Sequence, residues 1–173
     1  MYCAVRGGQL DIVKWMYGIR SEGCSVAAID WAAEHGHLEV VKLVHENHSE
    51  RCTVAAMDGA ATNGHLDVVK WLHENLIAGC TTHAMDSAAG RGHLEMVQWL
   101  NENRTEGCTT TAVDSAATGG YLDIIKFLYA NRMEQWQLSG HRLITSSRCC
   151  VGLMTRTSTF PFQSHNLVLP EKM

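Results

Sequence analysis

Residues 60–72 read Ala60-Ala61-Thr62-Asn63-Gly64-His65-Leu66-Asp67-Val68-Val69-Lys70-Trp71-Leu72. Versions of this stretch recur every 28 residues, and the glycine of the turn is found at Gly8, Gly36, Gly64, Gly92 and Gly120. Other columns keep the same step, namely Cys24, Cys52, Cys80 and Cys108, then Asp30, Asp58, Asp86 and Asp114, and the alanine pairs that begin at Ala32, Ala60, Ala88 and Ala116. Several registers held without slippage predict a tandem array.

Each unit predicts two helices. The first follows a hydroxyl side chain suited to capping a helix N-terminus, at Ser25, Thr53, Thr81 and Thr109. It is expected to end at the turn glycine, which tolerates left-handed backbone. The second helix has apolar residues at helical spacing, and we expect it to end at an asparagine, namely Asn47, Asn75, Asn103 or Asn131. Because one such pair cannot bury its own apolar faces, neighbouring pairs must stack.

The quoted stretch resembles the ankyrin repeat, whose signature runs Ala-Ala-x-x-Gly-His-x-x-Val-Val-x-x-Leu. The resemblance recurs over residues 24–51, 52–79, 80–107 and 108–135. The period of 28 residues is shorter than the family's period of about 33, and the missing residues fall where the family has a β-hairpin finger. The resemblance therefore implies an all-α, helix-turn-helix repeat solenoid that is ankyrin-like with shortened or absent β-hairpin fingers.

The pattern divides the chain into three parts. A partial, uncapped first repeat covers residues 1–23, four repeats cover 24–135, and a non-repeat tail covers 136–173. The missing cap indicates either a segment of a longer array or a face that meets something else, because an exposed stacking face is apolar. The tail is interpreted as a capping element, a disordered segment or the product of a disrupted reading frame, with disorder or poor packing favoured.

The composition excludes several classes of protein. The chain has 173 residues, 46% of them hydrophobic, and its net charge of −4 argues against a basic surface for nucleic acid. It shows no apolar run of about 18 residues that would span a membrane, and we expect no signal peptide because no apolar stretch precedes the first charge. Because stacked helices lie about 8–10 Å apart, the cysteine column cannot form disulfides, which need Cα atoms within about 7 Å. We expect buried free thiols in a cytoplasmic or nuclear protein.

The remaining recurrent side chains are interpreted as structural. A column of aromatic residues is expected to fill the core between second helices, at Trp15, Trp71, Trp99 and Phe127. Histidines after the turn glycine are expected to close their own turn by hydrogen bonds, at His37, His65 and His93. The aspartate column is expected to form hydrogen bonds between units or to a neighbouring turn. Exposure is expected for two second-helix histidines and three loop arginines, namely His45, His73, Arg20, Arg51 and Arg104.

No catalytic or metal-binding pattern stands out. Four equivalent aspartates indicate repetition, whereas acid–base catalysis needs carboxyl groups with differently tuned pKa values. Nucleophile elbow, phosphate-binding glycine loop and His-Glu-x-x-His motifs are not apparent, and the adjacent Cys149 and Cys150 lack the spacing of a zinc site. We therefore expect neither an enzyme nor a bound metal, cofactor or small-molecule substrate.

Positions that vary between units on an exposed face are not needed for stacking, and so they are available for contacts with a partner. In the family that this chain resembles, first helices line the concave surface. The candidate binding residues on that face are Trp31, Glu34, His35, Thr62, Asn63, His83 and Arg91. The sequence thus predicts a non-enzymatic scaffold that binds a protein partner, rather than nucleic acid or membrane. The alternative is a structural segment of a longer solenoid without its own binding site.

Overall fold

A computed structural model describes residues 2–19, 26–47, 52–75 and 79–138. These residues form helices α1 to α10, with the bounds Tyr2–Arg6, Leu10–Ile19, Val26–Glu34, Leu38–Asn47, Val54–Thr62, Leu66–Asn75, Thr82–Gly90, Leu94–Asn103, Thr110–Gly119 and Leu122–Leu138. No β-strand occurs in the described ranges, including the connection 104–109 between α8 and α9. The predicted tail lies outside the described residues from position 139 onward.

The helices alternate between two layers. The odd-numbered first helices pack on one another in chain order, α1 on α3, α3 on α5, α5 on α7 and α7 on α9, while α2 packs on α4 and α8 on α10 in the second layer. Each first helix also packs against the second helix of its own repeat, as α5 does against α6. The predicted all-α repeat solenoid is confirmed.

Small side chains allow the first helices to approach closely. The alanine pairs of α3, α5 and α7 are fully buried, and one larger apolar residue per helix fills the space beside them, namely Ile29, Met57 and Met85. In the second layer, the buried residues of α6 are Val68, Val69 and Leu72. Burying a side chain of this size contributes about 1.5–3 kcal/mol, so stacking rather than helix propensity stabilises the array.

The aspartate column joins each repeat to the next. The carboxylate of Asp86 accepts hydrogen bonds from the backbone N–H of Thr109 at 2.8 Å and from its hydroxyl at 2.6 Å. The Thr109 hydroxyl in turn accepts from the N–H of Thr111 and caps α9. Asp30 and Asp58 make the same pair of contacts with Thr53 and Thr81, at 23 residues' separation. The predicted hydrogen bonds between units are confirmed, and they share their threonines with the predicted N-caps.

The turn histidines act between repeats, and the prediction that they close their own turn was wrong. His37 Nε2 donates to the carbonyl oxygen of Arg6 at 2.9 Å, 31 residues earlier. Its ring lies over Gly8, and the rings of His65, His93 and Tyr121 likewise lie over the turn glycines Gly36, Gly64 and Gly92. These glycines have φ between 63° and 85°, as predicted. Each therefore provides both left-handed backbone and room for a ring.

The aromatic column is not core. Trp15 is 68% exposed, whereas Trp71, Trp99 and Phe127 are half-buried. The rings of His45 and His73 meet Trp71 and Trp99 edge-on, with centroids 5.4 and 5.3 Å apart. These two histidines are therefore half-buried instead of exposed, because the tryptophan of the next repeat covers them.

The asparagines end their helices by another mechanism than the one predicted. Helices α4, α6 and α8 end at Asn47, Asn75 and Asn103, yet every described residue with positive φ is a glycine. Each asparagine amide instead donates to the carbonyl four residues earlier, at 2.8–2.9 Å. Asn131 makes the same bond to Phe127, but α10 continues to Leu138, so the expected end at Asn131 was wrong.

The cysteine column lies at the repeat interfaces. Cys52 and Cys80 are buried and Cys108 is half-buried, all with free thiols; Cys24 lies outside the described residues. Burial raises the pKa of Cys52 to about 11, and the nearby Asp30 adds to this effect. These thiols thus pack as small hydrophobes, as predicted.

We predict that Asp86→Ala lowers the free energy of unfolding by about 2–3 kcal/mol, because it leaves the N-terminus of α9 without its charged acceptor. Urea denaturation followed by circular dichroism measures this loss. The matched control is Asp114→Ala, since Asp114 is exposed and the position 23 residues later is Gln137 rather than threonine. Its expected effect is within about 0.5 kcal/mol. Equal losses in the two variants would contradict the role of the Asp–Thr bond.

Substitutions at two turn glycines allow the cost of left-handed backbone strain to be measured separately from the cost of displacing a packed ring. Gly64 and Gly120 have φ of +77° and +76°, but a Cβ on Gly64 lies 2.7 Å from the His93 ring, whereas one on Gly120 meets nothing within 4 Å. We predict that Gly120→Ala costs about 1–2 kcal/mol from left-handed strain alone. Gly64→Ala is expected to cost more in the same urea titration, and His93→Ala in that background should recover part of the difference. Equal costs would disprove the ring contact.

We predict that native Cys52 resists alkylation at pH 8. A pKa of about 11 leaves only about one thiol in a thousand as the reactive thiolate. Iodoacetamide labelling followed by peptide mass spectrometry should show Cys52 reacting at least about 100-fold more slowly than exposed Cys3, with the rate rising toward pH 11. In urea the two rates should converge. Equal native rates at pH 8 would refute this burial.

Candidate protein-binding surface

The first helices alternate residues that stack with residues that face outward. In α3 the alanine pair Ala32 and Ala33 is buried, while Trp31 and Glu34 on either side are exposed. In α5 and α7 the residues on either side of the alanine pair are half-buried, so the variable positions of the sequence share the less buried side of the first helices. We call this side the first-helix face. It consists of the exposed and half-buried residues of the first helices and of the turn position that follows each of them.

An aromatic pair lies at one end of this face. The rings of Tyr2 in α1 and Trp31 in α3 meet edge-to-face, with centroids 4.8 Å apart and planes at 73°. Trp31 remains 37% exposed and Tyr2 49% exposed. Edge-to-face packing fixes both rings without burying them. The pair therefore presents rigid apolar surface that the interior of the array does not use.

A second contact joins the same two repeats at the turn. Arg6 Nε donates to His35 Nε2 at 3.2 Å, and His35 Nδ1 donates to the carbonyl oxygen of Trp31 at 2.9 Å. The ring of His35 is thus held between a guanidinium and a backbone acceptor. In this arrangement Nε2 accepts from the guanidinium while Nδ1 donates to the backbone. Arg6 and His35 consequently lie beside the aromatic pair.

A third set of contacts continues along the face. The side-chain amide of Asn63 donates to the carbonyl oxygens of Glu34 at 2.9 Å and Gly59 at 3.1 Å. Its own oxygen accepts from Arg91 NH1 at 2.8 Å. One amide thereby connects three successive repeats. Glu34 also packs its Cβ and Cγ against the space that a side chain at Gly59 would fill.

The two remaining candidates, Thr62 and His83, differ in their hydrogen-bond partners and exposure. The Thr62 hydroxyl donates to the carbonyl of Asp58 at 2.7 Å, so it is engaged within its own helix. His83 is exposed at the beginning of α7 and its ring contacts the hydroxyl of Ser87. The structure thus joins Trp31, Glu34, His35, Asn63 and Arg91 into a network, with Thr62 beside it and His83 separate from it.

Sequence reasoning missed Tyr2 and Arg6. Both precede the first complete repeat, and they make their contacts with residues 29 positions later. A signal was present for Tyr2, because it aligns with Asp30, Asp58, Asp86 and Asp114. An aromatic residue in a column of acids cannot make the bond to threonine and has a different role.

A second polar cluster lies at the opposite ends of these helices. Arg104 is largely buried; it forms an ion pair with Glu106 and contacts His73 Nδ1 at 3.3 Å. The hydrogen bond to Glu106 raises the pKa of Arg104, and burial raises the pKa of Cys80 beside it. The prediction that Arg104 is solvated was wrong; Arg20 and Arg51 lie outside the described residues. This compact cluster fastens the connection before α9.

The geometry was also compared with what a metal site or a membrane span needs. Within the described ranges, no group of three or more histidine, cysteine or acidic side chains is arranged to hold a metal ion. The described helices include none that is both long enough and apolar enough to cross a bilayer. Asp30, Asp58 and Asp86 accept hydrogen bonds from threonines, so their carboxylates serve the repeat interfaces.

Comparison with known families agrees with this architecture. The family model of ankyrin repeats in many copies matches residues 29–73, 52–101 and 85–128. The matches together extend from residue 29 to residue 128, which is more than half of the 173-residue chain. No curated protein matches the sequence significantly. Because the matched segments coincide with the stacked helix pairs, the chain belongs to the ankyrin repeat family.

Proposed function

We propose that this protein is a non-enzymatic scaffold that binds a protein partner through its first-helix face. Ankyrin repeats are in general protein–protein interaction modules. The proposed contact residues are Trp31, Glu34, His35, Thr62, Asn63, His83 and Arg91, joined by Tyr2 and Arg6. The observation that supports the proposal best is the exposed Tyr2–Trp31 pair. We propose that this face is the concave one, as the family resemblance implies.

Stacking does not require a large residue at position 31. The aligned residues in the next repeats are Gly59, Ser87 and Ser115, and those repeats form the same two helices. Trp31 is nevertheless held at 4.8 Å from Tyr2 with over a third of its surface exposed. Tryptophan and tyrosine are enriched among the residues that dominate binding energy, so this pair suits the centre of an interface.

The polar residues around the pair suit its rim. Arg6, His35, Asn63 and Arg91 already hydrogen-bond across repeats. Ordering a long side chain on binding costs about 0.5–1.5 kcal/mol. Side chains that are held in place in the free protein lose less conformational freedom when a partner arrives. A preorganised polar rim around an apolar centre is the usual anatomy of such interfaces.

The proposal also states that the protein is not an enzyme. The hydrogen bonds of the aspartate column support this part of the proposal. Asp30, Asp58 and Asp86 each accept two hydrogen bonds from a threonine. Equivalent groups in equivalent surroundings do not divide into an acid and a base. A cytoplasmic or nuclear location is likewise proposed, because the described cysteines are free thiols.

We predict that the triple variant Trp31→Ser/His83→Ala/Arg91→Ala loses its partner in affinity capture from cell lysate with mass spectrometry. Serine already occupies the aligned position in two repeats, so circular dichroism should show unchanged helicity. The matched control is Trp15→Ser/Lys70→Ala, which removes another exposed tryptophan and an exposed cation from the second helices. Titration of the captured protein should show Kd rising at least about 30-fold for the triple variant.

Equal capture by wild type and the triple variant would place the binding site elsewhere. Loss of capture in the second-helix control alone would move the site to that layer. If neither the wild type nor any variant captured a protein, the alternative interpretation, a structural segment of a longer array, would replace the scaffold proposal.

A further inference from the structure

The sequence contains one asparagine that is directly followed by glycine. This pair is Asn63 and Gly64, whereas the other six asparagines precede histidine, leucine, glutamate or arginine. Because glycine has no Cβ, its backbone nitrogen reaches the side chain of the preceding residue with little steric hindrance. Asn-Gly is therefore the dipeptide in which the asparagine amide is most open to attack by the main chain.

We propose that Asn63 is a site of spontaneous deamidation. The backbone nitrogen of Gly64 forms a bond to Cγ of Asn63 and gives up its proton, while the side-chain amide nitrogen leaves as ammonia. Water then opens the resulting succinimide ring and yields aspartate or isoaspartate. One water molecule is consumed and one ammonia is released, and nothing is oxidised or reduced. The reaction needs no partner, so it is independent of the proposed function.

Hydrogen bonds across the repeats restrain the reacting amide. Nδ2 of Asn63, the leaving nitrogen, donates to the carbonyl oxygens of Glu34 at 2.9 Å and Gly59 at 3.1 Å. Oδ1 of the same side chain accepts from NH1 of Arg91 at 2.8 Å. Turning the side chain toward the nitrogen of Gly64 breaks these contacts. Attack on Cγ therefore requires that they open first.

The turn also keeps the nucleophile away from Cγ. Asn63 has ψ of 4°, so its own backbone nitrogen lies beside the nitrogen of Gly64, in the place that Cβ takes in a closed succinimide ring. The N–H of Gly64 donates to the carbonyl oxygen of Ala61 at 3.2 Å. The ring of His93 lies over Gly64, 2.7 Å from the position of an added Cβ. We therefore expect the reaction to proceed through local opening of this turn.

Arg91 has two opposing effects on the reaction. Its guanidinium holds Oδ1 of Asn63 in place, but it also stabilises the negative charge that attack puts on this oxygen. Such stabilisation is strong where water is excluded, whereas Arg91 is exposed and solvent screens its charge. Restraint consequently outweighs activation, and Asn63 reacts more slowly while Arg91 is bound to it.

The product lacks the donors that connect these repeats. An aspartate side chain at position 63 only accepts hydrogen bonds, so the carbonyl oxygens of Glu34 and Gly59 lose the donor Nδ2. Isoaspartate also lengthens the main chain by one carbon, which displaces Gly64 from the ring of His93. Deamidation thus loosens contacts between three successive repeats.

Peptide mass spectrometry of the full chain, incubated at neutral pH in heavy-oxygen water, measures the reaction. Each conversion should add one heavy oxygen atom at Asn63, because water opens the ring. In urea, Asn63 should convert faster than every other asparagine of the chain. In the native protein it should convert at least about tenfold more slowly than in urea.

Two variants and two matched controls test the restraint. Arg91→Ala and His93→Ala should each raise the native rate at Asn63 about three- to tenfold, because each removes one contact that opposes opening. Lys70→Ala removes another exposed cation, and His37→Ala removes the equivalent ring contact two repeats earlier. Both controls should leave the rate unchanged. In urea all five proteins should react equally fast, and circular dichroism should show equal helicity without urea.

The effect of the product is measured on the variant Asn63→Asp. Its urea midpoint should lie about 0.3–1 M below that of the wild type, because two carbonyl oxygens lose a donor. The control Asn103→Asp changes an exposed asparagine whose amide bonds only within its own helix, and it should shift the midpoint less. Equal shifts would contradict the role of Asn63 between repeats.

Three results would overturn the proposed site. Faster conversion of another asparagine in urea would exclude Asn63 as the preferred position. No conversion of the native chain while the unfolded chain reacts completely would exclude the reaction in the folded protein. A slower native reaction in Arg91→Ala than in the wild type would show that Arg91 activates the amide and does not protect it.

Discussion

In three successive repeats a carboxylate accepts two hydrogen bonds from the N-cap threonine of the next first helix, and this contact aligns the first helices. Asp30, Asp58 and Asp86 bind Thr53, Thr81 and Thr109 in this way. The same threonine hydroxyls cap the helices that they begin. Because this bond fixes where each helix starts relative to the one before, it sets the alignment of every outward-facing residue. The alignment of the first-helix face along these repeats thus depends on the Asp–Thr contact, whereas apolar burial drives the stacking itself.

Ring packing on the turn glycines completes this alignment at the other end of each first helix. The rings of His37, His65, His93 and Tyr121 lie over the glycine of the preceding repeat. An array that is fastened at both ends of its first helices tolerates variation on the face between them. The column of Trp31 illustrates this freedom, since the aligned residues in later repeats are Gly59, Ser87 and Ser115. The repeats therefore separate residues that maintain the fold from residues that are available to a ligand.

Contacts across repeats also explain the predictions that were wrong. Trp71 covers His45 and Trp99 covers His73. The tryptophans, expected in the core, and the histidines, expected at the surface, are therefore all half-buried. Arg104 contacts Glu106 and His73, although its position in a connection between helices predicted a solvent-exposed side chain. In each case the side chain contacts a group about 28 residues away or across a turn. Helical periodicity describes one helix at a time, and so it does not show these partners.

The repeat architecture was predictable from the amino-acid sequence, because the 28-residue period, the alanine pairs and the turn glycines are local features that the spacing shows directly. It also identified Trp31, His35, Asn63 and Arg91 as free to vary. The contacts between Tyr2 and Trp31, between Arg6 and His35, and from Asn63 to Glu34 and Arg91 emerge only when the helices are packed. These pairings depend on the offset between stacked helices and on side-chain rotamers, and a linear pattern specifies neither.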